Sequence, residues 1–150
     1  GLGDVYKRQG AAGGLGFAFL WGLPNVELKP GIDIVLEAVG LTNELKDADV
    51  VVTGEGCLDF QTAMGKVPVG VAKTAKNYNC KVIAFAGSVT EEAKNCNEKG
   101  IDAFFSILPG VCSLDEAMDT ETAQKNMRNA AEQVFRLILA CGKEKSSLHP

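Results

Sequence analysis

Histidine is nearly absent from this sequence. His149 is the one copy in 150 residues, and no Cys-x-x-Cys pair accompanies it. A zinc site built on those ligands is excluded. The five cysteines, Cys57, Cys80, Cys96, Cys112 and Cys141, are odd in number. They read as reduced thiols of a cytoplasmic protein, not as a disulfide framework. A basic stripe is missing too, and the net charge is -4. Nucleic acid therefore has no electrostatic footprint to bind. No apolar run nears the roughly 20 residues that cross a bilayer. Residues 1–9 lack the apolar core of a secretory signal, and no methionine precedes Met64. Residues 1–9 are expected to be a non-native leader, with the domain proper starting near Gly10. Residues 143–150 read as a polar tail.

What is present describes a globular domain. Hydrophobic residues make up 46% and charged residues 23%, which argues against disorder. The chain is long enough for one core. Glycine is abundant, at 17 residues, and clustered. Gly10–Gly16 (GAAGGLG) followed by FAFLWGL predicts a glycine-rich turn leading into a buried helix. From Gly31, the spacing of Ile32, Val35, Leu36 and Val39 predicts a second helix that ends at Gly40. Leu41–Lys46 adds a short turn.

Three apolar runs then alternate with helical patterns. Residues 49–54 predict a strand buried on both faces, because Val50, Val51 and Val52 are continuous and β-branched. Residues 66–78 predict a helix with Pro68 in its first turn. Val71, Ala72 and Ala75 form its apolar stripe, with Lys73 and Lys76 on the wet side. Residues 81–86 predict a second strand. Ser88 and Glu91 have the spacing of a capping box opening a helix over 90–98. Residues 102–107 predict a third strand, and Ser113 with Glu116 a further capping box. A long helix is expected over 119–140, with Met127, Ala131, Val134, Ile138 and Cys141 on its buried face. The order predicts an α/β domain with a Rossmann-like parallel sheet flanked by helices. Ligands of such sheets lie beyond the carboxyl ends of the strands. Those ends carry TGEG, AGS and SILPG.

The densest polar stretch is Thr53–Lys66, TGEGCLDFQTAMGK, read as a strand-to-helix loop. Gly54 and Gly56 allow close backbone approach to a ligand. Gly65 and Lys66 stand at a helix N-terminus, where free amides and the helix dipole favour an anion. It is not a Walker A loop, because Phe60 and Val67 replace the required glycine and hydroxyl residue. It is not a dinucleotide fingerprint either, because Asp59 occupies the third glycine position. A solvated connection with turn residues is the plainer alternative. Gly13 and Gly14 in the first glycine stretch are candidate phosphate contacts through their amides, with close helix packing as the alternative. Asp33 and Glu37 read as a solvated helix face. Gly87-Ser88 reads as a helix cap before a ligand contact.

Taken in order, GAAGGLG, PGIDIVLEAVGL, DVVVTGEGCLDFQTAMGKVPVGVAK, VIAFAGSV and GIDAFFSILPG resemble the C-terminal part of the class I glycerate kinases. The resemblance covers roughly residues 10–140. It implies an incomplete domain of a two-domain α/β kinase, with residues 10–142 its C-terminal portion. The implied activity is ATP-dependent phosphorylation of D-glycerate to a phosphoglycerate, with Mg2+. The implied site residues are Thr53, Gly54, Glu55, Gly56, Asp59, Gln61, Thr62, Gly65 and Lys66. Asp59 is expected to act as base or to orient the acceptor hydroxyl. Glu55 is expected to hold Mg2+ through water or to fix the loop, and Lys66 to hold an anionic oxygen. Gln61 and Thr62 are expected to orient substrate. Cys57 stands where the family has arginine. The family's Asp-Ser-Phe-Lys and Gly-Gly-Ser-Ala-Thr-Asn stretches are absent from this sequence. The other class of function open to these residues is a non-catalytic α/β module that binds a small organic acid or phosphate. Oligomeric state has no signature in the sequence.

Overall fold

A computed structural model describes residues 14–143. The expected leader (residues 1–9), residues 144–150 of the polar tail and most of the first glycine stretch, Gly13 included, lie outside them. The elements run α1 (Leu15–Gly22), α2 (Gly31–Ala38), α3 (Leu41–Glu44), a 3-10 turn (Leu45–Asp47), β1 (Val50–Leu58) and α4 (Phe60–Ala63). They continue with α5 (Val67–Lys76), β2 (Lys81–Val89), a 3-10 helix (Glu91–Lys99), β3 (Ala103–Ser106), α6 (Leu114–Met118) and α7 (Thr120–Lys143). The three strands form one sheet in the order β1-β2-β3, and both pairings are parallel. The α/β architecture and all three strand positions match the sequence reading.

Each face of the sheet has its own core. On one side, Val82, Ala84 and Ala86 of β2 pack with Val69, Ala72 and Ala75 of α5, and with Cys96 and Ile101. The small residues let helix and sheet approach closely. On the other side, Ile83 and Phe85 meet Val134 of α7, with Phe105, Ala130 and Ala131 around them. Asp102 clips the sheet to α5: its Oδ2 accepts from the Val82 amide at 2.6 Å and from Lys76 Nζ at 2.5 Å. Burial opposes its charge, but these two donors outweigh that and hold the carboxyl below the ordinary range.

Several expectations need correction. The strand-to-helix loop is shorter than read, because Thr53–Leu58 continues β1, with Cys57 opposite Ser88 and Leu58 opposite Val89. Ser88 therefore lies in β2 and caps nothing. Thr90 occupies the cap position of the 3-10 helix, without a side-chain cap bond. Val52 is 43% exposed, so β1 is not buried on both faces; α7 covers β2 and β3 but leaves this part of β1 open. Helix α1 has no buried residue, and Trp21 is 86% exposed, against the buried helix expected. Lys76 is tied to Asp102 and does not simply face water. On α7, Val134 is buried as expected and Ala131 half-buried, but Met127, Ile138 and Cys141 are exposed. The Ser113–Glu116 capping box is present as read.

Candidate active site

Glu55 is set by strand register. It pairs with Ala86 and shares a sheet face with Val51 and Thr53, the face covered by α5. Three residues after β1 ends at Leu58, the single turn α4 supplies Gln61 and Thr62. Asp59 caps that turn: its Oδ1 accepts from the Thr62 amide at 3.0 Å, and its own amide donates to Thr62 Oγ1 at 3.2 Å. The buried Thr62 hydroxyl donates to Glu55 Oε1. Lys66 Nζ lies 3.5 Å from Asp59 Oδ1. Glu55, Thr62, Asp59 and Lys66 thus form one connected polar cluster at the carboxyl end of β1.

Electrostatics follow from these bonds. The Thr62 amide, helped by the Lys66 charge, holds the Asp59 carboxyl below its ordinary range. Cys96 lies behind the cluster, and burial together with the Glu55 and Asp59 charges pushes its thiol up. An ionised Asp59 with a depressed pKa accepts hydrogen bonds well and removes protons poorly near neutrality.

The remaining candidates divide. Gly54 is exposed, and a Cβ there would overlap the Phe85 carbonyl oxygen. It permits β1 and β2 to pair closely. Gly56 faces open space, and Gln61 is exposed. Gly65 adopts φ 112°, a conformation that favours glycine. Thr53 is half-buried on β1, two residues before Glu55. The amides of Gly65 and Lys66 both donate to Thr62 O, at 3.1 and 3.3 Å, and Pro68 has none. The helix terminus therefore offers an anion fewer donors than the sequence suggested. Gly14 is the left-handed cap of α1, remote in sequence from the cluster. Asp33 and Glu37 are exposed on α2, as read.

A groove of about 440 Å³ lies beyond β3, lined by Ser106–Pro109 of the SILPG strand end noted in the sequence and by residues of α7 that sequence reading did not single out. A smaller one of about 270 Å³ adjoins it, sharing Pro109 and Asn126. Neither is lined by Glu55, Asp59 or Lys66, so the cluster and these grooves are separate features. The available signal was the polar face of α7 following SILPG. Among the described residues, no three His, Cys, Asp or Glu side chains converge to hold a metal ion. No described helix is long and apolar enough to cross a membrane.

The sequence profile of the glycerate kinase family matches residues 3–139. The chain belongs to the glycerate kinase family. It is 47% identical over 140 residues to a glycerate kinase of Bacillus subtilis, covering 91% of this chain and 36% of that one. It is 48% identical over 108 residues to the glycerate 2-kinase of Escherichia coli, covering 72% of this chain and 28% of that one. A crystal structure of a Salmonella typhimurium LT2 protein assigned as a glycerate kinase 2 superimposes with a TM-score of 0.66 at 42% identity. That match covers 90% of this chain and 33% of the other. The chain spans about a third of the length of these glycerate kinases.

Proposed function

We propose that this chain carries part of the active site of an ATP-dependent D-glycerate kinase of the cytoplasm. The observation that supports it most is the Glu55–Thr62–Asp59–Lys66 cluster, at the strand end where parallel sheets receive ligands, in a chain of this family. Phosphoryl transfer asks mainly for positioning and charge neutralisation. Asp59 stays ionised and accepts a hydrogen bond from the acceptor hydroxyl, which fixes its direction. Lys66 places a positive charge beside an anionic oxygen of substrate or phosphate. Gln61, exposed on α4, supplies an amide for the same ligand. Glu55 and Asp59 provide two carboxylates, which is what Mg2+ commonly takes from protein when phosphates and water complete its shell. Mg2+ there would neutralise phosphate charge.

The test is a chimera in which this chain replaces the matched third of the Bacillus subtilis glycerate kinase. The expected result is ADP release that depends on both D-glycerate and Mg2+. Asp59→Asn and Lys66→Met should each lower kcat/KM at least tenfold. A chimera that is folded by circular dichroism yet releases no ADP above background would overturn the reading.

A further inference from the structure

The groove beyond β3 carries chemistry that the cluster at β1 does not use. Its apolar lining is Ile107, Leu108, Pro109 and Ala130, beside Ser106. Its wall is one face of α7, which presents Lys125, Asn126, Asn129 and Gln133. Positions 125, 129 and 133 are four apart and stack along one helix face. No carboxylate lines this groove. In the adjoining one, Glu116 is already held by Ser113, through the Ser113 amide and hydroxyl, both at 2.9 Å. Among the described residues Lys125 has no ion-pair partner. A cation, three carboxamides and an apolar lining suit a ligand with a ring, hydrogen-bonding edges and negative charge. The volume, about 440 Å³, falls within the usual range for small-molecule sites, roughly 300–1,000 Å³.

We propose that this groove binds a nucleoside triphosphate, with the base on the apolar lining, the α7 carboxamides at its polar edges and Lys125 on the phosphates. The inference rests on the kinase reading above and assigns the donor to a place of its own. Glu55, Ala86 and Ser106 stand in one row across the sheet. Two strand spacings separate Glu55 from Ser106, roughly 10 Å. The cluster lies on the α5 side and the groove on the α7 side, so they meet at the carboxyl edge of the sheet. The donor phosphates would cross that edge toward an acceptor held at β1.

The test is an NMR titration of the ¹⁵N-labelled 150-residue chain, carrying Phe17→Ser and Trp21→Glu on the exposed α1 to keep it monomeric, with ATP, inorganic triphosphate and D-glycerate in turn. ATP should shift the backbone amides of 106–108 and the side-chain amides of Asn126, Asn129 and Gln133. Lys125→Gln and Asn129→Ala, both on exposed positions, should weaken ATP binding at least tenfold with the rest of the spectrum unchanged. D-glycerate should leave the groove signals in place. ATP shifts confined to residues 59–69, or no shift with ATP, overturn the proposal. So does inorganic triphosphate binding as tightly as ATP, because the apolar lining would then contribute nothing. The kinase reading is judged separately: a chimera that turns over D-glycerate with its KM for ATP unmoved by Lys125→Gln would keep that reading and remove this one.

Discussion

Thr62 shows how one side chain serves two carboxylates. Its hydroxyl donates to Glu55, and its amide and hydroxyl close the capping box with Asp59. Thr62→Val removes the hydroxyl at constant shape, leaving Glu55 and the Asp59 amide without this partner. Stability should fall by about 1–3 kcal/mol, read by urea unfolding, whereas Thr62→Ser should recover most of it. Asp59 and Asp102 contribute to the acid limit, together with Glu92, Glu116 and Asp119, whose carboxyls are also held down. The Asp59 and Asp102 carboxyls are held below their ordinary values in the folded chain. A depressed group adds stability that is present above its unfolded pKa and lost as pH falls through its folded one. The thermal midpoint should therefore be flat above about pH 5 and drop below about pH 4. Asp102→Asn should lower the midpoint at neutral pH and shallow the acid drop. An acid drop as steep in that variant as in the parent would remove Asp102 from the account.

Among the elements, β1 depends on its glycines in unequal ways. A methyl at Gly54 would meet the Phe85 carbonyl, and one at Gly87 would lie 2.9 Å from the Gly56 carbonyl oxygen, while Gly56 itself has open space. Gly54→Ala should therefore cost about 2–4 kcal/mol, a magnitude typical of backbone strain and overpacking, and Gly56→Ala under about 1 kcal/mol. Denaturation midpoints of the two variants check the order. This asymmetry also explains what sequence could not convey. The apolar runs, Pro68 and the Ser113–Glu116 pair announced strands, helix start and cap through local chemistry. Gly54 lies within β1, where a Cβ would meet the Phe85 carbonyl, a strand-pairing demand that the sequence does not separate from a ligand loop, because the same residue type serves both. Ser88 failed as a cap for a related reason: pairing with Cys57 keeps it in the sheet, a nonlocal bond that local spacing does not record. Of the candidate site, the polar residues of 53–66 stood out in the sequence and the hydrogen bonds among them did not. That Asp59 caps Thr62, and that Thr62 reaches back to Glu55, depends on where β1 ends.

Over the whole molecule, the distribution of apolar surface decides how the chain behaves. Helix α1 is apolar around its circumference with no buried residue, and such helices are normally interior. Phe17, Phe19, Leu20 and Trp21 are all exposed, as are Leu137 and Leu139 on α7. A patch of this kind favours association. The chain alone should sediment as oligomers at micromolar concentration, and Phe17→Ser with Trp21→Glu should shift it toward monomer. The same openness bears on catalysis. The chain spans a third of the glycerate kinases it matches, and the cluster at β1 lines neither of the two grooves described above. Holding donor and acceptor together can supply roughly 7–11 kcal/mol of a barrier. A third of such an enzyme should give up most of that. Expressed alone, this chain should release ADP from ATP and D-glycerate more than a thousandfold more slowly than the chimera that restores the rest of the enzyme, a barrier difference of at least ~4 kcal/mol. A coupled ADP assay on both proteins measures the ratio. A rate within about tenfold, ~1.4 kcal/mol, would mean that residues 14–143 already enclose the reacting groups, and that the polar cluster and the α7 groove suffice for transfer.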